Sequence, residues 1–84
     1  MTFGAVAKRT KLQEFGLAIK AERLRRGMSQ EELAERCGFD RTYISMLERG
    51  KRNPSLLNLL RLVKGLETLV SVLTEVYDGF DASE

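Results

Sequence analysis

Six side chains within nine residues combine donors, acceptors and one flexible apolar group: Arg41, Thr42, Tyr43, Ser45, Met46 and Arg49. The edges of base pairs in a duplex groove require that mixture. Arg can bind guanine bidentately, Thr can hydrogen-bond or meet a thymine methyl, and Met can cover a methyl. The two remaining apolar residues of the stretch, Ile44 and Leu47, are three apart. On a helix they would turn inward together and leave the other six outward. Catalytic chemistry finds no comparable set. The chain has no histidine and one cysteine, Cys37, which removes the commonest general base, an internal disulfide and a Cys-rich metal site. No paired-carboxylate, Walker-type or Ser/His/Asp arrangement occurs. The chain is read as a non-enzyme with no cofactor and no metal. Cys37 is read as a small core residue rather than a redox sensor.

Those outward side chains need a short helix held at a fixed angle, and the local signals supply one. Ser29 and Glu32 have the spacing of a capping box and begin a helix that Gly38 ends. Its inward face is Leu33, Ala34 and Cys37. Asp40 is a good N-cap for the next helix, which Gly50 terminates. Two short capped helices with a glycine turn between them are the sequence form of a helix-turn-helix, whose second helix enters the major groove. Leu33, Ala34, Ile44 and Leu47 would hold the pair, and small Ala34 permits close approach.

Around this motif the pattern is all-helical. A first helix is expected over 11–26, with one apolar row of Leu12, Phe15 and Ile19 and a second of Leu17, Ala21 and Leu24. Gly27 stops it. Arg23 continues the first row, so its stem should point inward. Ser55 caps a fourth helix from Leu56 to about Leu66, expected from its leucines to be the most buried element. Leu66, Leu69, Val70, Leu73, Val76 and Tyr77 then fall at helical spacing, with a strand as the alternative because the run is β-branched. This last segment, about 69–77, is expected to be a dimer interface rather than a lid on the core, because one short helix offers few base contacts and two copies gain specificity. Residues 1–10 read as a loose arm, 11–77 as one domain and 78–84 as an acidic, frayed tail.

Charge is polarised along the chain. Residues 1–28 carry seven Lys/Arg against two Asp/Glu, 40–53 carry four against two, and 54–84 carry two against five. A net charge of +2 does not by itself indicate a nucleic-acid partner. No apolar run is long enough to cross a membrane, and the first residues do not form a secretion signal, so a cytoplasmic location and no membrane partner are expected.

The stretch GMSQEELAERCGFDRTYISMLERGKRNPS resembles the DNA-binding domain of phage-repressor and Cro-type (XRE-type) regulators, without a gap from about Phe15 to Leu66. DRTYIS followed by E-R-G and the Asn53-Pro54 loop is especially similar to controller proteins of restriction–modification systems. The resemblance implies a five-helix, lambda-repressor-like domain that binds double-stranded DNA as a homodimer on a palindromic operator, with no small-molecule effector and with RNA polymerase as a further partner. It places Arg41, Thr42 and Met46 at base-reading positions. Met46 differs from those members that carry a polar residue there. Tyr43 and Ser45 fall where base or backbone is touched. Gln30 falls at the phosphate clamp, and Ser29, Arg49, Lys51, Arg52 and Asn53 fall where phosphates are contacted. Arg23 and Glu48 fall at a structural ion pair between the first and third helices. Leu69, Val70, Leu73, Val76 and Tyr77 would form the dimer interface. The other function such a domain serves is the antitoxin of a toxin–antitoxin pair that binds both its toxin and its own operator.

Overall fold

Chain order is helix, helix, helix, helix, helix. A computed structural model of the protein describes residues 8–79. The elements are α1 (Lys11–Arg25), α2 (Gln30–Cys37), α3 (Arg41–Glu48), α4 (Leu56–Leu66), the single-turn α5 (Val70–Thr74) and a 3-10 turn over Glu75–Tyr77. The fold is all-α, and the C-terminal segment is helix rather than strand. Among the described residues no helix is long and apolar enough to cross a membrane.

Each long element starts on a side-chain cap. Thr10 Oγ1 accepts from the Gln13 N–H at 3.0 Å while Gln13 Oε1 accepts from the Thr10 N–H at 2.9 Å. This is a full capping box at the head of α1. Thr10 therefore belongs to the first helix rather than to a loose arm; Lys8 and Arg9 are exposed coil ahead of it, and residues 1–7 of the expected arm lie outside the described residues, as does most of the acidic tail, 80–84. Ser29, Asp40 and Ser55 cap α2, α3 and α4 as their sequence positions indicate.

The core takes one stripe from each helix: Phe15 and Ile19 from α1, Leu33, Ala34 and Cys37 from α2, Ile44 and Leu47 from α3, Leu62 and Leu66 from α4 and Leu73 from α5, with Met28 from the α1–α2 turn. Three expectations change here. The second apolar row of α1 faces outward, with Leu17, Ala21 and Leu24 exposed. α4 is not the most buried element, since Leu56, Leu57 and Leu60 are exposed. A helix covered on one side buries one stripe, and Leu59, Leu62, Val63 and Leu66 occupy it.

The third correction concerns the C-terminal stripe. Leu73 is fully buried within the single chain. Tyr77 is half-buried, donates its hydroxyl to the Lys11 carbonyl at 2.9 Å and stacks on Phe15 with ring centroids 6.4 Å apart. Leu73 therefore closes the core of one copy, and Tyr77 joins it while keeping part of its surface exposed. α5 and the 3-10 turn pack against α1. Leu69 and Val70 remain exposed, joined by Val72. The side chain of Val76 lies outside the described residues.

Candidate nucleic-acid interface

The geometry of α2 and α3 is set by backbone ends before any side chain reaches outward. Ser29 Oγ accepts from the Glu32 N–H at 3.0 Å, and Glu32 Oε1 accepts from the Ser29 N–H at 3.1 Å. That bonding holds the Glu32 carboxyl below its ordinary range. Gly38 sits in the left-handed region at φ 75°, where a side chain would be strained, and lets the Phe39 N–H reach the Ala34 carbonyl at 2.8 Å. The chain reverses in two residues and Asp40 restarts it, its Oδ1 accepting from the Thr42 N–H at 3.4 Å. Leu33, Ile44 and Leu47 are fully buried between the helices.

α3 is pinned from behind by α1. Gly16 makes this possible. A Cβ there would lie within 3.0 Å of the Leu47 and Glu48 carbonyl oxygens, so only glycine lets α1 cross so close to the end of α3. Two turns along, Arg23 grips Glu48 with two bonds, Nε to Oε2 at 2.6 Å and Nη2 to Oε1 at 3.0 Å, and donates from Nη1 to the Met28 carbonyl at 2.8 Å. Both side chains are buried, and the hydrogen bonds to Glu48 raise the basicity of Arg23 against the opposing effect of burial. The structure thus pairs Arg23 with Glu48 inside the fold. Such a pair fixes a packing arrangement more than it adds net stability.

The outer face of α3 carries Arg41 and Thr42 exposed, with Ser45 and Met46 half-exposed. Arg49 follows directly and donates from Nε to the Ser45 carbonyl at 3.3 Å. Lys51, Arg52 and Asn53 are exposed in the loop beyond. Among the described residues, none of Arg41, Arg49, Lys51 and Arg52 is in an ion pair. Four cations without carboxylate partners beside one helix make a positive surface suited to phosphate.

Two of the residues named from sequence are more engaged than a free outward position implies. Tyr43 is half-buried against the core: its ring meets Phe39 edge-on with centroids 4.8 Å apart, and its hydroxyl accepts from Asn58 Nδ2 at 3.0 Å. The Arg52 guanidinium lies over the same ring at 5.1 Å. Gln30, at the start of α2, donates from Nε2 to Glu48 Oε1 at 3.1 Å. Asn58 has no local signal, being fifteen residues from Tyr43 in the chain and joined to it only by the packing of α4. Among the described residues no group of three or more His, Cys, Asp or Glu could hold a metal ion.

Two capped helices, a left-handed glycine turn and an outward α3 clamped by α1 define a helix-turn-helix protein. Residues 19–72 match the helix-turn-helix family, and the chain belongs to it, in its phage-repressor and Cro-like (XRE-type) branch of transcriptional regulators. The chain is 50 % identical over 46 residues to an uncharacterised HTH-type transcriptional regulator, y4dJ, of Sinorhizobium fredii, covering 52 % of this chain and 60 % of that protein. It spans 42 % and 65 % of the lengths of two further curated relatives. To the control protein C.MunI of a Mycoplasma species it is 43 % identical over 60 residues, covering 70 % of this chain and 81 % of that one. Among solved structures, controller protein C.Esp1396I bound to a 19-base-pair DNA duplex superposes with a TM-score of 0.71 at 41 % identity, over 81 % of this chain and 91 % of that one.

Proposed function

We propose that the protein is a sequence-specific regulator of transcription that binds double-stranded DNA as a homodimer, with α3 in the major groove of each half of a palindromic operator. One observation carries this reading. α3 buries Ile44 and Leu47 completely while turning Arg41, Thr42, Ser45 and Met46 outward, on a helix fixed at both ends. Arg41 and Thr42 read base edges, Ser45 supplies a hydroxyl and Met46 an apolar contact for a thymine methyl. Tyr43 stands at the margin of that face, where its ring orients Arg52. Ser29 and Gln30 on one flank and Arg49, Lys51, Arg52 and Asn53 on the other hold phosphates and set the register. The likeness of this chain to a controller protein bound to a DNA duplex supports duplex binding.

The second copy is supplied through Leu69 and Val70, which stay exposed after Leu73 and Tyr77 have closed the core. Two recognition helices then reach half-sites about 34 Å apart. Bound at a promoter, the dimer either occludes RNA polymerase or touches it. Selection of bound duplexes from a random pool tests the reading, followed by titration of the winning duplex against salt. A palindromic site is expected, with affinity falling steeply as salt rises because neutralised phosphates release counterions. Binding that is flat from low to moderate salt, or no enriched sequence, overturns it.

A further inference from the structure

We propose that Glu48, beyond pairing with Arg23, sets which end of the Gln30 side-chain amide faces DNA, and so presents an N–H rather than a carbonyl oxygen to one backbone phosphate. The inference rests on the DNA-binding reading above and adds a positioning residue to it.

A glutamine amide has a donating end and an accepting end of nearly the same shape, so an unconstrained one can face a partner either way round. A phosphate oxygen only accepts. A phosphate clamp built from glutamine therefore works in one of its two orientations. The Glu48 carboxylate removes that ambiguity. It also only accepts, and it lies 3.1 Å from Gln30 Nε2. Turning the amide over would set the Gln30 carbonyl oxygen against that carboxylate. With the nitrogen held, one N–H points to Glu48 Oε1 and the second N–H of the same nitrogen is left for an outside acceptor.

The carboxylate is itself immobile. Arg23 takes both of its oxygens, at 2.6 and 3.0 Å, and is braced in turn on the carbonyl of Met28, two residues ahead of Gln30. Glu48 is buried, with its charge matched by Arg23, so it does not present that charge to the duplex. Gln30 is half-buried and sits at the boundary between this network and the outer surface. The bond from Gln30 is not needed to pair Arg23 with Glu48. Its consequence is the direction of the amide.

Methylphosphonate scanning of the selected duplex tests the inference, each substitution removing the charge and one acceptor oxygen of a single phosphate. For the wild-type protein, one phosphate per half-site is expected to weaken binding on the order of tenfold when substituted, as for loss of a hydrogen bond to a charged group. In Gln30→Met that phosphate should become indifferent. In Glu48→Gln it should lose most of its effect while the other sensitive phosphates keep theirs, an outcome that a general loss of folded protein cannot produce. Should Glu48→Gln fail to fold, the double variant Arg23→Met with Glu48→Met replaces the pair by apolar side chains of similar length and serves in its place. The inference is overturned if the folded Glu48 variant keeps the full wild-type sensitivity at that phosphate. It is equally overturned if no phosphate loses its effect in Gln30→Met. In either case the wild-type protein's binding to its selected duplex leaves the DNA-binding reading standing.

Discussion

Asn58 donates its side-chain N–H to the Tyr43 hydroxyl at 3.0 Å and so ties α4 to the outer half of the recognition helix. The same tyrosine ring carries Phe39 at its edge and Arg52 over its face. Tyr43→Phe removes the acceptor and keeps the ring, and should cost about 1 kcal/mol of stability. Tyr43→Leu also loses the aromatic pair, adding roughly 0.5–1.5 kcal/mol, and frees Arg52, so it should weaken DNA binding where Tyr43→Phe does not. In urea unfolding, Tyr43→Phe combined with Asn58→Ala should cost less than the two single changes together. Strict additivity would show that the bond does not form in solution.

The contrast between Tyr43 and its neighbours shows what a linear chain conveys. Ser29, Glu32, Gly38, Asp40 and Ser55 act within three or four residues of themselves, so the helix ends and the turn are legible from spacing. Thr10 and Gln13 carry the same local signal, obscured by the weak periodicity ahead of them. The inward pair Ile44 and Leu47 is legible because a helix has one period. Which leucines of α4 find a partner is different. Leu56, Leu57 and Leu60 are as apolar as Leu62 and Leu66, and only the position of the other helices separates exposed from buried. The same holds for Leu17 and Leu24 on α1, and for the bonds from Asn58 to Tyr43 and from Gln30 to Glu48. The Arg23–Glu48 pair became legible through family resemblance, with Arg23 alone also hinted at by its place in the apolar row.

Gly16→Ala should be among the most damaging single-methyl changes in the protein. The atoms a new Cβ would meet are backbone carbonyls of Leu47 and Glu48, which cannot swing aside as a side-chain tip could. Overpacking of this kind costs typically 1–3 kcal/mol, and the upper end is expected here. A thermal scan would register a drop of several degrees. Because the displaced segment is the end of α3, binding to DNA should weaken as well, even at temperatures where the variant is folded. A variant with wild-type Tm would mean that the helices do not cross this closely.

Glu22 gives an acid-side signature. It is buried, accepts from Arg25 Nε at 2.6 Å and Nη2 at 3.3 Å, and takes a further bond from the Thr68 hydroxyl at 3.0 Å. The Arg25 bond foremost, opposed by burial, holds its carboxyl below the ordinary 4.5. A carboxyl lowered in the folded state stabilises the fold above its unfolded value, and that contribution is lost as pH falls through the folded one. Stability should therefore decline as pH drops below about 4.5, and Glu22→Gln should decline less steeply over that range. Parallel acid limbs for the two proteins would contradict this.

Cys37 gives the opposite sign at alkaline pH. Burial pushes its thiol up from the ordinary 9.0 to about 11. The folded protein keeps the proton where the unfolded chain has lost it, so stability should fall as pH rises from about 9 toward 11. Wild type minus Cys37→Ala isolates this from other alkaline titrations, and the difference should shrink across that interval. The same burial makes the thiol a poor nucleophile. Its reaction with a disulfide reagent near pH 8 should run at the rate at which the fold opens, and fast labelling of folded protein would refute the assignment.

Leu73 and Leu69, four residues apart on one short segment, should respond to mutation in different ways. Leu73 is fully buried in one chain and Leu69 is 65 % exposed. Leu73→Ala opens a cavity beneath α1 and α4 and should cost about 2–5 kcal/mol at any protein concentration. Leu69→Lys changes a side chain that lies mostly in solvent. If Leu69 and Val70 hold the second copy, Leu69→Lys with Val70→Lys should convert the dimer to monomer in sedimentation, and the Tm should lose its dependence on protein concentration. The paired variant should also bind the full palindrome no better than a single half-site, since the gain from a linked second recognition helix is gone. A paired variant that still sediments as a dimer would move the interface elsewhere, and the exposed Leu56, Leu57 and Leu60 of α4 would be the next residues to change.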